Sequence, residues 1–181
     1  MILCAGNGEF FNFAKPVGVG LIDSAINTTK ICIEKKPSFL LFVGSAGSYG
    51  RLKEFDLFYS SFASNLENSF LLKESYSPIK NELKSSIPDF VSRETLPWIK
   101  VNCSNYITTN NAVSKKYLKL EIDAENMEFY SILKVANSFN IPAYGLFVIT
   151  NFCNEFAHKD FIKNHNLAKE ILEKFVKDEI L

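Results

Sequence analysis

Phe39-Leu40-Leu41-Phe42-Val43-Gly44-Ser45-Ala46-Gly47 decides the reading of this chain. Its five apolar residues follow Pro37-Ser38 and stop at a glycine, the pattern of a strand covered on both faces. Such strands belong to sheets sandwiched between helices. The preceding segment agrees: Asp23 to Glu34, with Ile22, Ile26, Thr29 or Lys30 and Ile33 at helical spacing, reads as a helix that Pro37 stops. Earlier still, Ile2 to Ala5 reads as a short buried strand ended by Gly6-Asn7-Gly8. Phe11 to Val19 reads as an extended segment closing on Gly18-Val19-Gly20.

Towards the C-terminus the alternation continues. Asp56 to Phe62, Trp98 to Cys103, the shorter Leu118 to Ile122, and Tyr144 to Ile149 read as strands. Glu125 to Phe139 reads as a helix with Met127, Tyr130, Leu133 and Ala136 on one face, ended by Asn140-Ile141-Pro142. A last helix runs from about Asp160 to the end, with Ala168, Ile171, Leu172, Phe175 and Val176 facing inward. Residues 64–97, with three prolines and scattered serines, form an irregular excursion. The fold class that follows is α/β: residues 1–181 as a single domain, with a central, mostly parallel mixed sheet flanked by helices.

The bulk composition narrows the function. A chain of 181 residues, 47% hydrophobic, can bury one sizeable core. Its 20 basic and 20 acidic residues are interspersed, so it lacks the charge block of a nucleic-acid or membrane arm and the default partner is a small molecule. Cys4, Cys32, Cys103 and Cys153 stand apart without a C-x-x-C pair, and His158 and His165 are the only histidines, so neither a zinc site nor a disulfide framework is signalled. No apolar run approaches the roughly 20 residues that span a membrane, and the expected location is cytoplasmic.

In open α/β sheets, ligands bind beyond the carboxyl ends of strands. That rule selects the residues after Ala5, Val43, Cys103 and Ile149. Taken in order, Gly18-Val19-Gly20, the helix, Lys36-Pro37, the strand, Gly44-Ser45-Ala46-Gly47 and Leu52-Lys53-Glu54-Phe55-Asp56 resemble the first half of the purine nucleoside phosphorylase and methylthioadenosine nucleosidase superfamily. Glu125-Asn126-Met127-Glu128 is similar to its V-E-M-E segment, with Met127 and Glu128 matching and Asn126 standing where the family has Glu. Thr150-Asn151 falls where the family keeps its base-recognising residue. About one hairpin of the usual layout is missing after Glu9, which implies a short member.

The resemblance implies a nucleoside phosphorylase-like fold and a pocket for a purine nucleoside. Glu128 would accept hydrogen bonds from the ribose 2′- and 3′-hydroxyls, and Met127 would pack under the ribose or simply join the core. Tyr106 would stack on the purine or remain an edge tyrosine in a polar loop. Ser45, Ala46, Gly47 and Thr150 complete the expected substrate contacts. Asn151, an amide where several branches carry Asp, cannot donate a catalytic proton but can hydrogen-bond N7, which favours 6-oxopurines.

Two nucleophiles are open. Gly6 and Ser45 could hold inorganic phosphate as co-substrate, giving phosphorolysis without another cofactor, whereas Glu9 could activate water. Phe10 and Phe42 occupy the positions of the arginines that usually assist phosphate, and the only arginines are Arg51 and Arg93. The balance of Asn151 against Glu9 tilts the expectation to phosphorolysis. A non-catalytic purine-binding or assembly subunit is the third reading. Family members are oligomers, so a homo-oligomer is expected; His158 and His165 are expected to be solvated helix residues, and Cys153 a small hydrophobe.

Overall fold

The structure, a computed structural model, describes residues 1–92 and 94–181. Its centre is the strand opened by the quoted stretch, and its neighbours explain why that stretch is apolar throughout. We label the elements β1 (Ile2–Cys4), β2 (Lys15–Pro16), α1 (Gly20–Lys35), β3 (Leu40–Ser48), β4 (Leu57–Ser60), β5 (Phe62–Ser64), α2 (Asn68–Leu71), β6 (Glu82–Lys84), β7 (Val101–Cys103), α3 (Asn111–Lys119), β8 (Ala124–Asn126), α4 (Phe129–Ser138), β9 (Ala143–Phe152) and α5 (Ala157–Glu179).

One mixed sheet of nine strands takes residues from both halves of the chain. β3 pairs parallel with β1 and along its length with β9, and its last residues pair antiparallel with β8. β8, β7 and β5 continue in parallel, whereas β4 on β9 and β6 on β5 are antiparallel. The period-2 alternation of a strand sorts β3 into two cores. Leu40 and Phe42 join Ile31, Phe129, Leu133 and Phe147 under α1 and α4. Leu41 and Val43 join Tyr144, Leu146, Val148, Leu172 and Val176 under α5.

Four expectations are corrected. The V-E-M-E-like segment does not start a helix: Ala124–Asn126 is strand β8, and α4 begins only at Phe129. Asn126 turns the chain here, because its Oδ1 accepts from the N–H of Glu128, the residue before α4, and of Phe129, its first residue. Leu118 to Ile122 is not a strand but the end of α3 and the turn after it, and α3 is capped at its start by Asn110, whose Oδ1 accepts from Ala112 N. Of Phe11 to Val19 only Lys15–Pro16 pairs as strand. The run from Asp56 splits at Ser60–Ser61 into β4 and β5, which pair with different partners. Beyond the end of β5 at Ser64, the described residues of the 64–97 excursion contain only the short α2 and β6 as regular elements.

α1 holds a further surprise. It buries Ser24, Thr28, Ile31 and Cys32 towards α4, and the regularly spaced Ile22, Ile26 and Ile33 face outward. No helix of the described residues is long and apolar enough to cross a membrane.

Candidate active site

A cavity of about 300 Å³ opens at the carboxyl ends of β1, β3 and β9 and beside β8. All ten residues expected to form the site line it: Gly6, Glu9, Ser45, Ala46, Gly47, Tyr106, Met127, Glu128, Thr150 and Asn151. Tyr106 stands at the rim, 82% exposed, while Glu9, Glu128 and Asn151 lie inside.

Glu128 sits where β8 ends and α4 begins. Its Oε1 accepts from Gly20 N at 2.9 Å and its Oε2 from Asn126 Nδ2 at 2.9 Å. The first amide of α1 and an amide side chain thus hold the carboxylate from two directions, leaving lone pairs for a ligand. Burial, with the nearby Glu9 charge adding to it, pushes the Glu128 carboxyl up to about 7, against the opposing pull of these donors. Asn126, read from the sequence as a departure, therefore has two tasks: it caps α4 and steadies Glu128 without adding a second negative charge.

Glu9 comes from the tight turn after β1, where Glu9 N donates to Gly6 O. Both Ser45 donors, the N–H at 3.2 Å and the hydroxyl, point at Glu9 Oε1. A Cβ on Gly44 would lie 3.1 Å from Glu9 Oε2, so the glycine makes room for the carboxylate. Burial raises the Glu9 carboxyl above the usual range, opposed by the Ser45 hydroxyl and by the nearby His165 and Lys169 side chains.

Asn151 is set by an irregularity in β9. The register with β3 shifts between Ala46 and Gly47, which pair with Ile149 and Asn151, so Thr150 is the extra residue of a bulge. Its hydroxyl donates to Asn151 Oδ1 at 2.8 Å, and its carbonyl accepts from Asn164 Nδ2 of α5. With Oδ1 taken, Asn151 Nδ2 donates once to Phe152 O and keeps a second N–H free to serve the cavity. Cys153 lies buried just behind, its Sγ 2.8 Å from where a Cβ on Gly47 would stand.

Several cavity residues were not singled out from the sequence. Glu125 lines the wall, its oxygens held by Tyr49 Oη and Thr108 N. His158 and His165, expected in solvent, also line the cavity, together with Phe161 one turn along α5. Their seven-residue spacing was visible, but nothing in it said that the shared face meets the turn after β1. The expected arginine positions are empty of charge: Phe42 is core and Phe10 is exposed. Arg51 pairs with Asp123 at 2.6 Å away from the cavity lining, and Arg93 lies outside the described residues. Among the described residues no cluster of three His, Cys, Asp or Glu side chains could hold a metal ion.

A sheet of this topology with polar residues gathered at its strand ends defines a nucleoside phosphorylase-like α/β protein. Residues 89–180 match the family model described as the phosphorylase superfamily, and the chain belongs to that superfamily. No curated protein sequence matches it. Among solved structures, it is similar to a 5′-methylthioadenosine/S-adenosylhomocysteine nucleosidase from Helicobacter pylori, with a TM-score of 0.82 at 17% identity over 98% of this chain and 95% of that one. It is also similar to futalosine hydrolase from the same organism, with a TM-score of 0.80 at 17% identity over 97% and 94%. The Streptococcus pneumoniae nucleosidase, solved with 8-aminoadenine, gives a TM-score of 0.75 at 15% identity over 97% of each chain. At such identities the likeness is one of fold.

Proposed function

We propose that the chain cleaves the N-glycosidic bond of purine nucleosides, using a water activated by Glu9. Glu128 accepts hydrogen bonds from the ribose 2′- and 3′-hydroxyls, Met127 packs against the sugar, and Tyr106 closes over the base from the rim. The observation that carries the choice of water is the pairing of Glu9 with Ser45. The two donors that could cradle phosphate at Ser45 are engaged by a buried carboxylate, which would also repel a phosphate dianion. The similar structures, nucleosidases and a hydrolase, support the same choice.

In the step itself the water oxygen bonds to C1′ as the C1′–N9 bond breaks, and its proton passes to the Glu9 carboxylate. The bonding electrons leave with the base. Positive charge developing on the ribose faces the carboxylates of Glu9 and Glu128, which lowers the barrier. Asn151 offers an N–H to N7 or O6 and no acid proton, which favours a 6-oxopurine such as hypoxanthine as leaving base. Neither this route nor phosphorolysis needs a cofactor. Phosphorolysis to ribose 1-phosphate is the second reading, favoured by the Thr150-Asn151 pair and the Gly6 turn.

We further propose that the protein acts as a homo-oligomer. Val19 lines the cavity and begins the outward apolar stripe of Ile22, Ile26 and Ile33, so a second copy seated there would cover the mouth. The four cysteines are free and buried, which fits the cytoplasmic setting we assign.

Incubation with inosine, and in parallel adenosine, in phosphate-free buffer tests the reaction. Free ribose and hypoxanthine at full rate, with adenosine slower, are expected. A strict need for phosphate would transfer the reaction to phosphorolysis, and saturable binding without base release would leave a purine-binding subunit.

A further inference from the structure

The proposed step uses Glu9 and leaves the cationic residues around it without a task. His165 stands on α5 with Nε2 3.3 Å from the Gly8 carbonyl oxygen, one residue before Glu9. Its other nitrogen, Nδ1, is buried without a partner, and its ring packs on Phe161 with centroids 4.8 Å apart. One turn further along the same helix, Lys169 reaches over the Phe11 ring, 5.6 Å from its centroid. Glu9, Ser45, His165 and Lys169 border a second, small cavity of about 10 Å³ behind the main one. It is about the size of one water molecule's centre.

The charged and titratable groups facing Glu9 come from three directions. β1 brings the Cys4 thiol, which burial keeps neutral; the start of α4 brings Glu128, a like charge; and α5 brings His165 and Lys169. Among the described residues the positive charge beside this carboxylate therefore comes from α5 alone. A histidine ring that carries a proton on both nitrogens is a cation.

We propose that His165 is the positioning residue of Glu9: its Nε2–H pins the Gly8 carbonyl and so the turn that aims Glu9, while its ring supplies the positive charge opposite the buried carboxylate. The role is conceived for the Glu9-assisted reaction and rests on that reading. Lys169, whose ammonium is drawn towards the Phe11 ring, acts in the same direction with a smaller effect. Placing the cation on α5 also accounts for an apolar Phe42 on β3, since the charge reaches Glu9 from the opposite side of the sheet.

The test is a carboxyl ¹³C NMR titration of glutamate-labelled protein without ligand, with Glu9→Gln identifying the resonance. His165→Gln, which keeps a donor for Gly8 but removes the charge, should raise the Glu9 midpoint by about one pH unit, the low end of the effect of a nearby opposite charge. Lys169→Met should raise it less, and His165→Lys should restore it. The acid limb of kcat/KM should move with the midpoint. His165→Asn provides a second uncharged variant should His165→Gln not fold. An unmoved Glu9 midpoint in a folded, uncharged variant overturns the proposal. Because the titration needs no turnover, coupling in a protein that cleaves no nucleoside would remove the reaction and keep the pair, whereas cleavage without coupling would remove only the pair.

Discussion

The cavity has two buried carboxylates, and they are held in opposite ways. Glu128 is gripped by neutral donors, the Gly20 N–H and the Asn126 amide, and among the described residues no cation bonds to it. Glu9 is gripped by the donors of Ser45 and faced by the His165 and Lys169 side chains. Burial raises both carboxyls, but only Glu9 has charges nearby that pull it back. Fixed neutral donors suit a group that accepts hydrogen bonds from hydroxyls and keeps its place. A carboxylate faced by basic side chains suits a group whose charge changes during the reaction. The difference teaches that burial alone does not assign a role; the partners do.

The comparison breaks most visibly at Glu9. Glu9→Gln should lower turnover by about a hundredfold to ten-thousandfold, the range for a general base, with ligand affinity nearly unchanged. Single-turnover kinetics together with equilibrium binding would measure both. Loss of binding with turnover retained would exchange the roles of the two carboxylates.

The next effect is on stability and belongs to Glu128. Its folded-state value of about 7 lies above the ordinary glutamate value, so the folded protein holds a proton that the unfolded chain has released. The associated stability is fully present below about pH 4 and is lost as pH rises towards and through about 7. The total is on the order of 3 kcal/mol at most. Denaturant unfolding of the wild type and Glu128→Gln between pH 4 and 8 should show the wild type losing ground to the variant as pH rises. Parallel curves would mean that Glu128 is not perturbed.

The smallest effect sharpens the neutral-donor side. Asn126→Asp removes the Nδ2–H donor and places a carboxylate against Glu128 while keeping an oxygen acceptor to cap α4. Raising the Glu128 carboxyl from about 7 by about one further unit would lower the ionised fraction about fivefold at pH 7. The kcat/KM value should therefore fall by that factor at pH 7 and recover at higher pH. A loss that does not depend on pH would point to damage at the α4 cap instead.

Much of this was legible in the sequence. Phe39 to Val43 read as a doubly covered strand and Tyr144 to Ile149 as a strand, and both lie in buried strands, because apolar runs near Gly or Pro signal burial whatever the partner. The site residues gathered because strand ends in an α/β sheet converge. The start of α4 was misplaced because Asn126 hides a cap inside a segment that looks helical on spacing. α3 escaped because lysines 115, 116 and 119 dominate it, although Asn110 and the Val113–Tyr117 spacing were available. His165 was read as solvated because helical periodicity distinguishes core from surface, and a cavity wall is neither. For α1 the small Ser24 and Thr28 pack inward on α4, so the isoleucines that looked like a core face lie outside.

The bond from Gly20 N to Glu128 Oε1 joins residues 108 positions apart, and Ser45 to Glu9 spans 36. Long chain closures cost more entropy and delay the contacts that depend on them, so sites built from distant segments mature after local helices. Here Asn151 and His165 arrive later still along the chain, on β9 and α5. A ribosome emitting this polypeptide therefore releases α1 to α4 and most of its strands before the cavity can close, and the site belongs to the folded molecule rather than to any one segment of it.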